Sequence, residues 1–521
     1  MQHYSRFFPV RHASDQLDVV PLLESGLQAG QARTLFWFEG EAWDTARVAA
    51  RVSDIQGWLR AGLGLEPGDR VAVMLGNQPD HVVLIYALVL SGLVWVPVNV
   101  RFKAAGVAQL VDHCRPAVLI AEPAFADVTR EAITQCRHRP PVTAIRAPVA
   151  DAGSQARLHP EPAHRAPGLP DAVLSIIYTS GTTGPPKGVI FTHRMLRVAS
   201  EAALVVADAH DGDRLFLWEP LCHVGGAQML LAPFLREVEL HIVEGFSASR
   251  FWEQVAASRA THLHYLGGIL DILMSRREEP RGPHTLRVAW GAGVGAQAWE
   301  PIERRMGVVL RECYGMTEGS SFATVNVSGK PGSIGRALPW IRVELLDARD
   351  EPVGVGELGQ IVLSSELDGV FFPGYLDDPG ASGRALRGGR LYTGDIARRD
   401  GDGDLYFVGR SSDSIRVRGE NVSAWEIERI FAAHPAIAAV AAVGTRATIG
   451  EQDILLYVQF RPDATIAFPQ LAAWAEGALA SFQRPRYYAA VEQFEVTPSQ
   501  RIKKHLLATT VEAAWDRLGT T

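Results

Sequence analysis

The sequence predicts an α/β protein with a large N-terminal domain, made of several subdomains with layered sheets and helices, followed by a small α/β C-terminal domain. From about Thr34 to Asp404, apolar strand-like runs alternate with amphipathic helical runs, which is typical of sheets covered by helices. The chain of 521 residues exceeds what one hydrophobic core usually serves. Gly409 to Asp413 has the composition of a linker. We therefore expect a first domain over residues 1–410 and a second over 411–521, of a size that suits a lid moving on a hinge.

Local patterns predict the main elements of the larger domain. The predicted helices are Thr45 to Ala61 and Pro79 to Leu90, and the predicted strands are Arg70 to Met74 and Ala117 to Ile120. The run from Val82 to Pro97 is apolar, but Gly92 interrupts it before the roughly 20 residues that a membrane span requires. A core helix followed by a buried strand explains it better. The Pro/Ala/His-rich stretch between Ala147 and Pro170 is expected to be a surface connection.

The pattern of residue types in the sequence changes after Tyr392. Asp400 to Asp404 predicts a tight turn, and Leu405 to Val408 a short strand. The smaller domain is expected to continue, in order, with a helix from Ala424 to Ala433, strands Ile437 to Val443 and Ile454 to Phe460, a helix from Leu471 to Ser481, a strand Tyr488 to Val491 and a terminal helix.

The composition is that of a soluble globular enzyme. Hydrophobic residues make up 47% and charged residues 21%, and the net charge of −7 argues against a nucleic-acid-binding protein. No pair of cysteines is spaced as C-x-x-C, so neither a zinc site nor a disulfide framework is indicated. Residues 1–30 lack the apolar core of a signal peptide. These features predict a cytoplasmic protein without integral membrane association.

The segment from Tyr178 to Gly188 has the composition of a phosphate-holding loop. Its glycines allow consecutive backbone N–H groups to turn toward an anion, its Ser and Thr residues add hydroxyl donors, and Lys187 adds a positive charge. Strand patterns precede and follow it, from Ala172 to Tyr178 and from Gly188 to Thr192, so the loop is expected to join two strands. The common nucleotide loop opens a helix instead. A Gly/Pro-rich surface turn is the alternative.

Taken whole, this loop resembles the signature of the adenylate-forming superfamily, which includes acyl-CoA synthetases, the adenylation domains of peptide synthetases and beetle luciferase. At least five motifs in the family's order span roughly Thr34 to Leu507, and the general pattern resembles the branch of AMP-dependent acid–CoA ligases. The resemblance implies that the loop binds the phosphates of the nucleotide and that Lys187 acts in catalysis. The implied loop residues are Thr179, Ser180, Gly181, Thr182, Thr183 and Gly184.

A second motif runs from Tyr314 to Glu318. By resemblance, Tyr314 stacks on adenine, Thr317 contacts the α-phosphate and Glu318 coordinates Mg²⁺, an ion that favours a carboxylate combined with phosphate oxygens. A surface glutamate that ends a turn is the alternative. The same nucleotide site is expected to include Glu312, Cys313 and Gly315.

Two further motifs are expected near the acyl group. Gly291 and Ala292 belong to a small-residue turn that lines the adenine and acyl pockets in the family, although a simple strand-ending turn would have the same composition. His223 lies in Pro220 to Gly226, which resembles the stretch where a histidine separates the acyl pocket from the thiol channel. A lone histidine is otherwise often structural. Cys222 stands where the family commonly has an aromatic residue, which would enlarge the cavity.

The remaining motifs concern the ribose and the lid. Asp395 resembles the family's aspartate that accepts hydrogen bonds from both ribose hydroxyls, with Arg410 as its partner. Gly419 lies in a segment that resembles the one rotating into the site for thioester formation, although a solvated basic strand edge would look similar. Ser412 replaces the Asp or Lys usual at the hinge.

The largest departure from the family is Arg501. Thr497 to Lys504 aligns with the family's Thr-Pro-Thr-Gly-Lys-Ile-x-Lys, which places Arg501 where the adenylation lysine belongs. That cation holds two negatively charged substrates together against a repulsion of about 4 kcal/mol at ~4 Å and an effective dielectric constant near 20. Arginine supplies the same charge with a different reach and geometry.

The resemblance as a whole implies an ATP-dependent acyl-CoA ligase that works through an acyl-adenylate, with ATP, Mg²⁺ and coenzyme A as its cofactors. The implied partners are a carboxylic acid and coenzyme A, no nucleic acid is expected, and a homodimer is allowed for. The implied catalytic residues are Lys187, Thr317, Glu318, His223 and Arg501.

Two alternatives stay open. One is an adenylating enzyme that passes the acyl group to a carrier protein or a nitrogen nucleophile, and the other is a catalytically silent acyl- or nucleotide-binding protein. The acyl pocket is expected to involve His223, the region from His264 to Gly268, and Trp290, whose bulk favours a short, medium or aryl acid. A carnitine-type acid is one candidate.

Overall fold

The computed structural model describes residues 17–28, 32–145, 171–179, 186–276, 284–410, 414–417, 420–446, 452–462, 464, 466–476, 479, 481–496 and 502–519. The chain forms two compact units. The first contains Met1–Thr179, Lys187–Arg342 and Leu363–Leu391, and the second contains Ser180–Pro186, Val343–Val362 and Tyr392–Thr521. The predicted boundary after residue 410 falls inside the second unit. The predicted connection between Ala147 and Pro170 lies outside the described residues.

Within this described part of the chain, the α-helices in order are α1 (Val19–Gln28), α2 (Thr45–Gly57), α3 (Pro79–Leu90), α4 (Ala104–Cys114), α5 (Ala126–Gln135), α6 (His193–Ala207), α7 (Val224–Ala227), α8 (Ala232–Leu235), α9 (Phe251–Ser258), α10 (Gly267–Ser275), α11 (Ala296–Met306), α12 (Pro379–Ala385), α13 (Ala424–Ala432) and α14 (Phe468–Ala475). No helix in these ranges combines the length and the apolar character that crossing a bilayer requires.

The strands of the same ranges are β1 (Thr34–Phe38), β2 (Glu41–Asp44), β3 (Arg70–Met74), β4 (Val94–Pro97), β5 (Val118–Ala121), β6 (Val142–Thr143), β7 (Val173–Thr179), β8 (Lys187–Thr192), β9 (Arg214–Leu217), β10 (Glu239–Ile242), β11 (His262–Leu266), β12 (Val288–Ala292), β13 (Val309–Met316), β14 (Ser321–Val325), β15 (Arg336–Ala337), β16 (Arg342–Leu346), β17 (Leu358–Ser364), β18 (Leu386–Arg387), β19 (Arg390–Arg399), β20 (Leu405–Arg410), β21 (Ser414–Val417), β22 (Glu420–Ser423), β23 (Ile437–Arg446), β24 (Gln452–Phe460), β25 (Tyr487–Ala490) and β26 (Trp515–Asp516).

The first unit is built on two sheets. The larger has the order β15-β14-β13-β12-β11-β9-β10-β1-β2, and its central strands from β13 to β1 run parallel. The smaller has the order β6-β5-β3-β4-β7-β8. Parallel sheets are covered on both faces, which is why their strands read as apolar runs. One core of the unit lies between the larger sheet and α9, α10 and α11, with Trp299 and Ile302 among its buried residues.

Several local predictions for this unit are confirmed. Helix α3 and strand β3 have the predicted bounds, and the apolar run after residue 82 divides into α3 and the buried strand β4. The predicted phosphate loop joins β7 to β8, which pair in antiparallel fashion. Helix α3 is buried from His81 to Leu90, so an all-round apolar helix of this length belongs in a core.

The second unit contains three sets of strands. Strands β16, β17 and β19 lie side by side with β20 antiparallel to β19, β21 pairs with β22, and a four-stranded sheet has the order β23-β24-β25-β26. Ile427 and Phe431 of α13 and Leu471 of α14 pack in a common core with residues of this last sheet. Helix α14 begins at Phe468 and ends at Ala475, earlier than predicted.

The predicted terminal helix is wrong. Between Ile502 and Gly519 the structure has a short 3₁₀ turn, Lys504–Leu506, and the two-residue strand β26. Trp515 packs on Tyr488, with ring centroids 5.4 Å apart, and Asp516 accepts hydrogen bonds from Arg486. These tertiary contacts hold the segment extended against β25, where a helix could not place both side chains.

A buried asparagine joins the carboxyl-end edges of the two sheets of the first unit. Asn77 follows β3, and its Nδ2 donates to the carbonyl of Glu219 at 2.8 Å and to that of Val243 at 3.2 Å. Its Oδ1 accepts from the backbone N–H of Leu221 at 3.0 Å. One side chain therefore satisfies backbone groups of the segments that follow β9 and β10, and it fixes the segment leading to His223.

We expect Asn77→Ala to lower the free energy of unfolding by about 2–4 kcal/mol, because it leaves buried backbone donors and acceptors without partners. Urea unfolding followed by tryptophan fluorescence measures this change. The control Gln135→Ala removes an exposed amide of α5 and is expected to change the value by less than about 0.5 kcal/mol. Equal unfolding midpoints for the two variants would contradict the role assigned to Asn77.

Candidate active site

The carboxyl ends of β11, β12 and β13 meet at one edge of the larger sheet, where open α/β sheets place their ligands. Gly291 of β12 lies so close to β11 that a Cβ built on it would be 1.9 Å from the carbonyl oxygen of Tyr265. Only glycine fits there. The next residue, Ala292, is exposed at the strand end, so the predicted small-residue turn forms an accessible rim of this edge.

A buried glutamate holds this rim from within. Glu312 is 4% exposed, and its carboxylate accepts hydrogen bonds from the backbone N–H groups of Gly293 and Val294 and, at 2.6 Å, from the hydroxyl of Tyr265. Burial raises the pKa of Glu312 to about 7, although these hydrogen bonds oppose the shift. The contacts give Glu312 a positioning role that sequence reasoning missed.

Cys313 supports the same rim. Its buried Sγ donates to the carbonyl of Gly291 at 3.0 Å, and burial raises the pKa of the thiol well above its usual value. Gly315 is enclosed as tightly as Gly291, since a Cβ there would be 1.7 Å from the carbonyl oxygen of Ser321. Tyr314 and Gly315 lie within β13, which extends further than the predicted strand and pairs with β14. Their contacts with a nucleotide stay predictions.

The structure brings together two of the predicted catalytic residues around a tyrosine. Glu318 lies in the 3₁₀ turn Thr317–Gly319 and is 6% exposed. The hydroxyl of Tyr375 donates to its Oε1 at 2.8 Å. The Nζ of Lys187 lies 5.0 Å from the centroid of the same tyrosine ring, which is within the range of a cation–π contact. Tyr375 thus links the proposed metal ligand to the proposed phosphate-binding lysine.

The backbone fixes this arrangement. The N–H of Leu376 donates to the carbonyl of Gly188 at 2.8 Å, and the N–H of Phe372 donates to that of Glu318 at 2.9 Å. The segment from Phe372 to Leu376 is therefore tied to both β8 and the 3₁₀ turn. Sequence reasoning missed Tyr375. The only local signal for this residue was the run of aromatic and glycine residues, Phe371 to Tyr375, that follows a strand.

Asp395 and Arg410 are brought together in the second unit, as predicted. They face each other across β19 and β20, with Arg410 Nε 3.2 Å from Asp395 Oδ1. Asp395 is 4% exposed. The hydroxyl of Thr393 accepts from the N–H of Asp395 and donates to the carbonyl of Ile361, so the Thr-Gly-Asp turn is held from both sides. An ionised carboxylate in a fixed turn can accept bonds from two adjacent hydroxyls.

His223 lies just before the short helix α7. The Nδ2 of Asn99 donates to His223 Nε2 at 3.1 Å. Burial, followed by the charge of Arg101, lowers the pKa of His223. The imidazole is therefore neutral near pH 7, which suits an orienting residue rather than a cationic one. Cys222 beside it is buried, and burial raises the pKa of its thiol to about 12.

Eight of the discussed residues lie outside the described part of the chain, and their roles stay predictions. They are Ser180, Gly181, Thr182, Thr183, Gly184, Ser412, Gly419 and Arg501.

We expect Tyr375→Phe to raise the KM for MgATP roughly tenfold, because it removes a hydrogen bond to a carboxylate and keeps the ring next to Lys187. Pyrophosphate release measured across MgATP and free Mg²⁺ concentrations checks this. The control Tyr406→Phe removes a hydroxyl that donates to Asp400 and is expected to leave both dependences unchanged. An unaltered Mg²⁺ dependence in Tyr375→Phe would remove the proposed link to Glu318.

The pKa of Glu312 predicts a pH-dependent stability. Because the folded pKa of about 7 exceeds the ordinary 4.5, the folded protein binds this proton more tightly than the unfolded chain. Its stabilising contribution is full below about pH 4.5 and is lost as the pH rises to about 7. Relative to Glu312→Gln, the free energy of unfolding of the wild type should fall by about 3 kcal/mol over that window. Urea unfolding at a series of pH values measures this change. Glu300→Gln, on the exposed face of α11, serves as the control. If the free energies of unfolding of the wild type and of Glu312→Gln change in parallel with pH, the prediction is wrong.

The sequence of the chain is similar to that of known enzymes. Residues 24–376 match the family of AMP-binding enzymes. Crotonobetaine/carnitine–CoA ligases from Escherichia fergusonii and Shigella dysenteriae are each 31% identical, over 445 and 441 residues, and the matches cover 82% of this chain and 85% of those proteins.

Solved structures share the fold over nearly the whole chain. The anthranilate CoA ligase AuaEII in complex with anthranoyl-AMP has a TM-score of 0.83 at 21% identity, covering 95% of this chain and 98% of that one. The o-succinylbenzoate coenzyme A synthetase MenE from Bacillus subtilis, in complex with ATP and magnesium ion, has a TM-score of 0.82 at 21% identity, covering 93% and 98%. The chain therefore belongs to the family of AMP-binding enzymes, within the adenylate-forming superfamily that its motifs resemble.

Proposed function

We propose that this chain is an ATP-dependent, AMP-forming acid–CoA ligase. In the first step a carboxylate oxygen of the substrate attacks the α-phosphorus of ATP, and pyrophosphate leaves. In the second step the sulfur of coenzyme A attacks the acyl carbon, and AMP leaves. The arrangement of Lys187, Tyr375 and Glu318 carries this proposal, because one tyrosine contacts both a buried carboxylate and the lysine of the segment that resembles the family's phosphate-binding signature. The two relatives described above, both named CoA ligases, support it.

Glu318 is the residue that would hold Mg²⁺. Its carboxylate is oriented by the hydroxyl of Tyr375, and a single carboxylate completed by phosphate oxygens and water is the usual donor set for this ion. Bound Mg²⁺ would supply charge neutralisation of the leaving pyrophosphate. Lys187 would add a second positive charge on the same side of the reaction, and Thr317 would donate to the α-phosphate. Catalysis in this site would be mainly electrostatic.

The other residues are proposed to bind and orient the substrates. Asp395 would accept hydrogen bonds from the ribose hydroxyls while Arg410 keeps its carboxylate in place. Neutral His223 would orient the acyl group or gate the thiol. Arg501 would hold the reacting carboxylate against ATP, and Gly419 would let the pantetheine arm pass.

The acid is proposed to be short, medium or aryl, since the buried Trp290 packs against His264 on the strands that border the site. Crotonobetaine and carnitine, for which the relatives are named, belong in the first test panel. The cytoplasmic location and the homodimer stay predictions, and light scattering on the purified protein checks the latter.

A panel of short, medium and aryl carboxylic acids, assayed for pyrophosphate and AMP release with and without coenzyme A, tests this function. We expect at least one acid to support pyrophosphate release and coenzyme A to accelerate AMP release. Glu318→Gln should lower the adenylation rate by at least about a hundredfold, because the metal ligand is lost. The exposed Glu366→Gln is the matched control and should behave as wild type.

The outcomes separate the alternatives. Pyrophosphate release without any effect of coenzyme A would overturn the ligase assignment in favour of a carrier protein or a nitrogen nucleophile. No release with any acid, together with nucleotide binding that Glu318→Gln leaves intact, would favour a silent binding protein.

A further inference from the structure

An asparagine that follows a strand of the smaller sheet contacts His223, and the reaction proposed above gives it no role. Asn99 comes after β4, and its Nδ2 lies 3.1 Å from Nε2 of His223, which comes after β9 of the larger sheet. Asn99 is 7% exposed. The contact therefore joins the carboxyl-end edges of the two sheets, which is where α/β proteins bind their ligands.

The orientation of the Asn99 side chain is fixed by the backbone. Its Oδ1 accepts a hydrogen bond from the backbone N–H of Arg101 at 2.9 Å. Because a backbone N–H can only donate, the amide oxygen must face Arg101 and the NH₂ group must face His223. The NH₂ group can also only donate, so Nε2 of His223 must accept.

This contact determines which nitrogen of the neutral imidazole carries the proton. Burial, followed by the charge of Arg101, lowers the pKa of His223, so the ring is neutral near pH 7. A neutral imidazole that accepts at Nε2 carries its proton on Nδ1. Among the residues that the structure describes, none accepts a hydrogen bond from this nitrogen. His223 therefore offers an N–H donor to a ligand.

The turn that carries His223 is held tightly. The N–H of His223 donates to the carbonyl of Pro220 at 3.0 Å, and the carbonyl of His223 accepts from the N–H of Ala227 at 2.9 Å. A Cβ built on Gly226 would lie 2.5 Å from the carbonyl oxygen of Pro220, so the turn has no room for a larger residue there. His223 itself is partly exposed, so a substrate can reach a donor whose position is fixed.

We infer that Asn99 is a positioning residue that keeps the proton of His223 on Nδ1, and that this N–H donates to the acyl oxygen while coenzyme A attacks. The inference rests on the acid–CoA ligase proposed above and deepens it. As the sulfur–carbon bond forms, the π electrons of the carbonyl move to its oxygen, where the donor stabilises the charge. The carbonyl then re-forms as the bond to AMP breaks, and AMP leaves with that bond's electron pair. The thiol proton goes to solvent, because Nδ1 has no lone pair to accept it.

Such a donor favours the second step of the reaction over the first. In adenylation the carboxylate of the substrate loses charge as it attacks phosphorus, so a hydrogen bond to its oxygen is strongest before the step. In thioester formation the acyl oxygen gains charge, so the bond is strongest in the transition state. Loss of the donor should therefore slow the transfer to coenzyme A and leave the adenylation rate within about twofold of its value. A residue that only supports the fold would affect both steps.

Asn99→Asp tests the inference through the sign of a pH dependence. A carboxylate accepts from Nε2, so it moves the proton of the neutral ring away from Nδ1 and raises the pKa of His223. Below that raised pKa both nitrogens are protonated and the donor is present, whereas above it the donor is lost. We expect the acyl-transfer rate of Asn99→Asp, divided by that of the wild type at the same pH, to fall at least about tenfold between about pH 6 and about pH 9.

The measurement is a rapid-quench experiment that follows pyrophosphate and acyl-CoA separately, with crotonobetaine or a faster acid of the panel. A rate ratio that rises with pH would identify His223 as a base, and a flat ratio would mean that its tautomer is unimportant. Either result overturns the inference while the ligase function stands. Gln135→Glu makes the same change from amide to carboxylate on the exposed side of α5 and is expected to give a flat ratio.

Other ionisable groups near His223 are the same in the proteins that are compared, so they cancel in the ratio. Arg101 lies in the segment after β4, Cys222 precedes His223, and two further groups face the same turn. A Cβ on Gly225 would lie 3.7 Å from Cε1 of His264 and 3.8 Å from Cγ of Glu219. The difference between the two pH profiles therefore reports the substitution at Asn99.

The tautomer can be measured without any substrate. In the enzyme labelled with ¹⁵N-histidine, the chemical shifts of the two imidazole nitrogens show which one is protonated, and His223→Gln assigns the signals. We expect a protonated Nδ1 and an unprotonated Nε2 in the wild type at neutral pH, and the reverse in Asn99→Asp above its raised pKa. A wild-type proton on Nε2 overturns the inference.

A second pair of variants decides if Asn99→Asp fails to fold. In His223→Asn the side-chain NH₂ group can take the place of Nδ1–H, whereas in His223→Gln it lies nearer the place of Nε2. We expect His223→Asn to transfer the acyl group to coenzyme A at least about tenfold faster than His223→Gln. Equal rates overturn the inference. If no acid releases pyrophosphate, the ligase proposal fails and the acyl role of His223 fails with it, whatever tautomer the labelled enzyme shows.

Discussion

The close approach of β11 and β12 at Gly291 is the constraint on which the candidate site depends. It brings the backbone of one strand against the carbonyl of Tyr265, and it leaves Glu312 to satisfy the N–H groups of the turn that follows. A carboxylate placed under a turn organises two backbone donors at once, and Tyr265 completes its coordination. The rim of the candidate site is therefore held by a buried support, and the charge of that support is sensitive to pH.

The second organising contact is the tyrosine between Lys187 and Glu318. Opposite charges placed next to each other would form an ion pair, and neither charge would then be free to interact with a substrate. Tyr375 instead gives Glu318 a neutral hydrogen bond and gives Lys187 an aromatic face. Both side chains are oriented while their charges stay available for the Mg²⁺ and phosphate that we propose they bind. This preorganisation is what electrostatic catalysis requires, since donors and charges must be in place before the charge of the leaving group develops.

The two buried glutamates of the larger sheet differ in how they are satisfied. Glu312 accepts hydrogen bonds from three groups of its own chain, two backbone N–H groups and one hydroxyl, and acts as a structural support. The side chain of Glu219 instead lies against the imidazole of His264.

Local sequence patterns determined the fold class, the bounds of α3 and β3, and the position of Lys187 between two strands. They also identified the motif residues from Thr317 to Arg410. These features were accessible because periodicity and turn chemistry act over a few residues. The tertiary structure decided what these residues touch. Tyr375 lies 57 residues beyond Glu318, and Tyr265 lies 47 before Glu312, so no local pattern could pair them. The C-terminal segment shows the same limit, since the packing of Trp515 on Tyr488 overrode its helical pattern. The sequence by itself specified the reactive groups, and only the packing of distant strands specified their partners.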